Sequence, residues 1–132
     1  MNYLIDSTVF IAWMRAGQNP VRRLVPWLRA GALVGCGIIR AEVLRGMVAE
    51  SARREMALLF EHIPEIPLSS DAWCETAELA WRLDRAGLVL PLPDLAIAVC
   101  AQRAKAALVT RDRHFRDIPD LALRDDLPHR ES

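Results

Sequence analysis

Apolar residues along the chain group into short β-type runs and longer segments with helical spacing, and the two kinds alternate. Tyr3 to Ile5 is a β-type run ending at Asp6, and Ser7-Thr8 supply caps for an apolar helix from Val9 to Met14. Gly17 closes that helix, and Pro20 to Ala30 reads as a second one with Gly31 just beyond it. Ala32 to Cys36 has the character of a buried strand. Ile38 to Glu50 then predicts a helix, and Ser51 to His62 another with Ser51 as its cap. Pro64 and Pro67 bracket an extended piece, Glu65 to Leu68, able to pair as a strand.

In the second half Ser70 caps a long helix that Gly87 ends, and the spacing of Trp73, Ala77, Ala80 and Leu83 makes them its core stripe. Pro91-Leu92-Pro93-Asp94 is a rigid entry to a helix from Leu95 to Ala106, with Pro93 suited to its first position. Asp94 is thereby placed at a helix amino end. Ala107 to Thr110 is the last clear strand, Asp112 follows it, Leu121 to Leu123 predicts an edge strand, and residues 124–132 read as a frayed tail. Strands alternating with helices predict a single α/β domain over residues 1–132, wound right-handedly around a mainly parallel sheet.

Length and composition narrow this further. A chain of 132 residues buries roughly two-thirds of its unfolded surface and needs no covalent staple. An apolar content of 52%, with four Trp, points to apolar surface left over for a homodimer or partner interface. Seventeen basic residues balance seventeen acidic ones, so no global positive field advertises nucleic acid, and any such binding must come from local clusters. Sixteen of the basic residues are arginines, grouped as Arg22 with Arg23, Arg53 with Arg54, and Arg111, Arg113 and Arg116. Arginine suits bidentate phosphate contacts, although such groups also serve as ordinary solvated charge.

Cys36, Cys74 and Cys100 are too far apart and odd in number for a disulfide framework or a zinc knuckle, and read as small buried hydrophobes in a reducing compartment. The first residues lack a basic n-region, and Gly31 to Ile39 is too short to span a bilayer. A soluble, cytoplasmic protein is expected, with no membrane partner.

The chemistry lies in the acids. Asp6 and Asp112 leave the carboxyl ends of predicted strands, and Asp94 opens a helix that feeds such a strand, the edge where open α/β sheets gather their active sites. Carboxylates sharing one crevice repel one another unless a hard divalent cation, magnesium or manganese, joins them. Such ions neutralise phosphate and acidify water, so phosphodiester hydrolysis needs no histidine. Taken singly, each Asp also fits a helix cap, and Glu42 fits a solvated partner of Arg45. Gly46, a mid-helix glycine after Glu42, predicts close approach of another element there. His114 beside Arg113 reads as a surface residue, and His62 and His129 have no partners at metal-ligand spacing. None of the six glycines forms a phosphate-cradling loop, and Thr8 stands where an aspartyl phosphotransferase wants a second Asp.

Leu-Ile-Asp6-Ser7-Thr8, Ala41-Glu42 followed by Gly46, Pro93-Asp94-Leu-Ala-Ile-Ala, and Leu-Val-Thr110-Arg111-Asp112-Arg-His-Phe115 together resemble the PIN-domain family, specifically VapC-like toxins of bacterial toxin–antitoxin systems. The resemblance covers nearly the whole chain. It implies a three-layer α/β/α fold with a central parallel sheet, and an endoribonuclease that uses one or two magnesium or manganese ions. It also implies inhibition by a small cognate antitoxin. Asp6, Glu42, Asp94 and Asp112 take the family's metal and catalytic positions, and Ser7 or Thr8, together with Thr110, its hydroxyl positions. Asp117 adds a candidate fifth carboxylate at the rim, and Arg111, Arg113 and Arg116 are candidate contacts to RNA. The alternative is a catalytically silent RNA-binding or partner-binding module that keeps the acids for stability, against which the intact set of four argues.

Overall fold

The computed structural model describes residues 1–130. Its centre is a four-stranded parallel sheet with strand order β2-β1-β3-β4, formed by β1 (Asn2–Ile5), β2 (Leu33–Val34), β3 (Ala106–Val109) and β4 (Leu123–Arg124). β1 and β3 pair along their full length, from Asn2 with Ala106 to Ile5 with Val109. All four residues of β3 are buried, the run of apolar residues expected of a parallel strand covered on both faces. Six helices surround the sheet: α1 (Ser7–Arg15), α2 (Pro20–Arg29), α3 (Gly37–Gly46), α4 (Glu50–Glu61), α5 (Ser70–Arg85) and α6 (Leu92–Arg103).

The chain runs from β1 outward to β2, then back past β1 to β3. Right-handed crossovers in opposite directions place their helices on opposite faces, which makes a three-layer α/β/α fold. The reversal also opens a crevice at the carboxyl ends of β1 and β3, where ligands of such sheets bind. α1 to α4 pack among themselves, while α6 lies on β3 and carries α5 on its outer side. Every residue of α6 from Leu95 to Ala101 is buried.

Several boundaries differ from expectation for identifiable reasons. α3 stops at Gly46 and α4 starts at Glu50, so Glu50 opens the second helix and Ser51 lies inside it; the cap position is Ala49. Gly46 ends its helix with open space where a Cβ would stand, and the tight approach occurs at Gly35, where a Cβ would meet Glu65 and Ile63 side-chain atoms at 3.3 Å. There the Glu65 segment contributes only an isolated bridge to Gly35, held by hydrogen bonds from Gly35 N to Pro64 O and from Ile66 N to Gly35 O. The core stripe of α5 is Ala72, Thr76 and Leu83, while Trp73 and Ala77 face outward. Packing against the buried α6 favours small side chains, and Thr76 satisfies its own hydroxyl on the Ala72 carbonyl at 2.8 Å. Ser69, one residue before the expected Ser70, caps α5. Cys36 and Cys100 are buried as expected, whereas Cys74 is exposed.

The tail is not frayed over 124–128. Arg124 belongs to β4 and Leu127 is 1% exposed in the core. Asp126 accepts hydrogen bonds from the Trp13 indole at 2.9 Å and from Arg23 at 3.2 Å; Arg23 also donates to the Leu127 carbonyl, and Trp27 to that of Pro128. Arg23 is a buried cation stacked on Trp13 with its guanidinium carbon 4.8 Å from the ring centroid, and a buried charge needs a partner, which Asp126 supplies. Residues 131 and 132 of that expected tail lie outside the described residues.

Candidate active site at the carboxyl edge of the sheet

Asp6 is the first residue past β1 and the N-cap of α1, yet its carboxylate makes no cap hydrogen bond. At 4% exposure it instead accepts from two hydroxyls, Thr8 Oγ1 at 2.7 Å and Thr110 Oγ1 at 2.8 Å, both on Oδ2. Each hydroxyl is itself fixed by a backbone amide: Arg111 N donates to Thr8 at 3.0 Å, and Asp112 N to Thr110 at 3.0 Å. The two threonines therefore lock the end of β1 to the loop after β3. Of the two hydroxyl candidates Ser7 and Thr8, it is Thr8 that donates to the Asp6 carboxylate.

Asp94 lies in the first turn of α6, where Pro91 is the N-cap and no side chain caps the helix. Burial, then the charges of Asp112 and Asp6, raise its carboxyl above the ordinary range, with His114 pulling slightly the other way. Glu42, on the outer side of α3, is raised in the same sense by burial and then by Asp6 and Asp94. Among the described residues, no arginine or lysine pairs with Asp6, Glu42 or Asp94, and the Arg45 partnership open to Glu42 does not form. These carboxyls thus repel one another with no arginine or lysine paired to them among the described residues, an arrangement able to accept a divalent cation.

Asp112 has two attachments. Its Oδ1 caps the short 3-10 helix Arg113–Asp117 by accepting from His114 N at 2.9 Å, and it lies 3.3 Å from the His114 ring Nδ1. Ligand atoms of Asp94, Asp112 and His114 all lie within 4.8 Å of one another. His114 is exposed, as expected, and its ring also lies beside Asp94 and Asp112; the signal that could have found this is its place two residues after Asp112, in the 3-10 turn that Asp112 caps. Asp117 ends that turn as an exposed residue outside the Asp94–Asp112–His114 group.

The arginines divide. Arg111 turns away from the acids, donating through Nε to the Asp125 carbonyl at 2.8 Å and through a terminal nitrogen to Asp126 at 3.3 Å. Arg113 and Arg116 are exposed and, among the described residues, pair with no acid. With Arg111 and Arg124 they line a hollow of about 240 Å³ that opens beside Thr110 and Asp112. Arg23 and Arg54 are used elsewhere: Arg23 is buried and pairs with Asp126, and Arg54 pairs with Glu50.

The PIN-domain family model matches residues 3–121, which covers all four acids and the sheet except Asn2 and β4. The chain belongs to the PIN-domain family. Solved structures agree with that assignment. VapBC-1 from nontypeable Haemophilus influenzae aligns with this PIN domain over 95% of the chain and 98% of its own, with a TM-score of 0.72 and 25% sequence identity. VapBC2 from Rickettsia felis, bound to a DNA fragment from its promoter, aligns over 94% and 98%, with a TM-score of 0.74 and 22% identity. VapBC-5 from Mycobacterium tuberculosis, a member of the VapBC family of toxin–antitoxin systems, aligns over 93% and 95%, with a TM-score of 0.61 and 21% identity. No curated protein sequence matches the chain significantly. The fold of this PIN domain is therefore VapC-like, and no helix among its described residues is long and apolar enough to cross a membrane.

Proposed function

We propose that this PIN domain is a divalent-metal-dependent endoribonuclease and the toxin of a toxin–antitoxin pair. What supports the reading is the grouping of ligand atoms of Asp94, Asp112 and His114 within 4.8 Å of one another, with Asp6 near enough that its charge helps raise the carboxyls of Glu42 and Asp94. All-oxygen donors of this kind suit magnesium or manganese, one ion or two. Asp6, Asp94, Asp112 and Glu42 would hold the metal, with His114 at its margin. A bound divalent cation supplies a Lewis acid that neutralises phosphate charge and makes water more acidic.

The protein's own part is positioning. Thr8 and Thr110 hold one oxygen of Asp6 and leave its other oxygen free of any hydrogen bond among the described residues. Asp112 keeps its loop short by capping the 3-10 turn. Arg113 and Arg116 meet the phosphate backbone as RNA enters the crevice, and Arg111 shapes the wall of the same hollow. A small cognate antitoxin would silence the enzyme in the cytoplasm by covering the acids. The exposed indoles of Trp73 and Trp81 on α5 supply apolar surface for a homodimer, whose mass light scattering would measure.

The test maps cleavage sites on total cellular RNA with and without added magnesium, alongside expression of the chain in a bacterium with and without the small protein encoded beside it. Metal-dependent cleavage and growth arrest relieved by the neighbour support the reading. Soluble protein that leaves RNA and growth untouched with every divalent metal would leave a silent binding module in its place.

A further inference from the structure

The carboxylate of Asp126, outside the matched family region, gathers four donors. They are the Trp13 indole at 2.9 Å, Arg23 at 3.2 Å, its neighbour Leu127 N at 2.8 Å, and Arg111 at 3.3 Å. Three of these anchor Asp126 to the body of the domain, through a buried tryptophan, a buried arginine and the turn leading to buried Leu127. The fourth reaches outward. Arg111 is the middle residue of the loop Thr110-Arg111-Asp112, and its guanidinium is held at two points, by Asp126 and by the Asp125 carbonyl.

That loop, together with Thr8 of α1, orients the buried end of the acid cluster. The Arg111 backbone amide fixes Thr8, the Asp112 amide fixes Thr110, and both hydroxyls fix Asp6. Asp112 itself is the loop's last residue. A rigid anchor on one side of the loop and metal-facing carboxylates on the other make a continuous hydrogen-bonded path from the C-terminal segment to the crevice.

We propose that Asp126 is a positioning residue for the acid site: by clamping the Arg111 guanidinium it fixes the 110–112 loop, and with it the directions of Asp6 and Asp112. The proposal rests on the reading of the crevice as a metal centre. Half-exposed ion pairs such as Arg111 with Asp126 contribute little to stability because solvent screens them, so a purely structural account gives this contact almost no task. A positioning role gives it one, since groups that orient metal ligands typically change affinity about ten- to a hundredfold when removed.

The test uses the full chain with D126N, R111Q and the double variant: Asn keeps the acceptor for Trp13 and Leu127 but removes the charge that holds Arg111 and also pairs with Arg23, whereas R111Q removes the Arg111 link alone. Three quantities are read: manganese affinity from the free-ion electron paramagnetic resonance signal, amide hydrogen exchange at Arg111 and Asp112, and melting temperature in chelator. The expected result is a manganese affinity weakened about tenfold in each single variant, faster exchange at both amides, and a double variant no worse than D126N because both substitutions break the Arg111–Asp126 link. R111Q should do this with a melting temperature close to wild type. Manganese affinity and loop exchange equal to wild type in both single variants would overturn the proposal, whatever happens to the melting temperature of D126N. If the wild-type protein itself binds no manganese, the metal reading falls, and unaltered loop exchange in R111Q would then separately dispose of the clamp.

Discussion

Thr110 Oγ1 donates to Asp6 Oδ2 at 2.8 Å across a sequence separation of 104 residues. This bond joins the ends of β1 and β3 at the point where the strand order reverses, and it does so on a carboxylate almost without solvent. Replacing Thr110 by Val keeps the shape and removes the donor. Thermal and urea unfolding should then show a loss of about 1–3 kcal/mol, the cost of an under-satisfied buried acceptor, together with weaker manganese binding. Thr110→Ser should restore both, and a Val variant with wild-type stability and metal affinity would contradict the hydroxyl clamp.

Asp94 caps nothing and packs into nothing that an amide could not replace. Asp94→Asn should therefore abolish RNA cleavage while leaving far-ultraviolet circular dichroism unchanged. Wild-type turnover by the variant would remove Asp94 from the active site.

The raised carboxyls of Glu42 and Asp94 set a sign for pH dependence. Both groups hold their protons more tightly in the folded chain than in the unfolded one, so their contribution to metal-free stability is fully present below about pH 4. It is lost as pH rises through their folded values. In chelator, the stability of wild type relative to Glu42→Gln should consequently decline between about pH 4 and 7.5. Manganese should reverse the trend, because ligation requires the deprotonated carboxylates. A wild-type advantage that grows with pH in chelator would mean that Glu42 faces cations and not acids.

Leu127 tests the docking of the C-terminal segment separately from its charges. Leu127→Ala opens a cavity beside the Trp13–Arg23 stack and should cost about 2–5 kcal/mol in urea unfolding. A change below about 0.5 kcal/mol, typical of exposed sites, would mean the segment is loosely attached in solution.

Read along the chain, the short β-type runs and the proline and glycine punctuation determined the α/β class and the strand count near the centre, while acids placed after a strand or at a helix start marked Asp6, Asp94 and Asp112 as candidates, and Glu42 entered only through the family resemblance. Those features are local: period, cap and breaker signals act within a few residues, and the carboxyl end of a strand is visible wherever a strand is. The break between α3 and α4 and the outward turn of Trp73 were not legible in this way, because they depend on what packs against each helix. Nor was the use of Arg111, whose basic character suggested a phosphate contact until Asp126 was seen to occupy it. Residues 124–128 read as loose because their only apolar residues are Leu127 and Pro128, and it took the buried charge of Arg23, some hundred residues earlier, to give that segment a reason to dock. His114 likewise joined the acids only through the 3-10 turn that Asp112 caps. Local signals name the residues capable of chemistry; which of them share a crevice, and which are committed to holding the fold, is decided by contacts between segments far apart in the chain, whose free energy no short window of sequence contains.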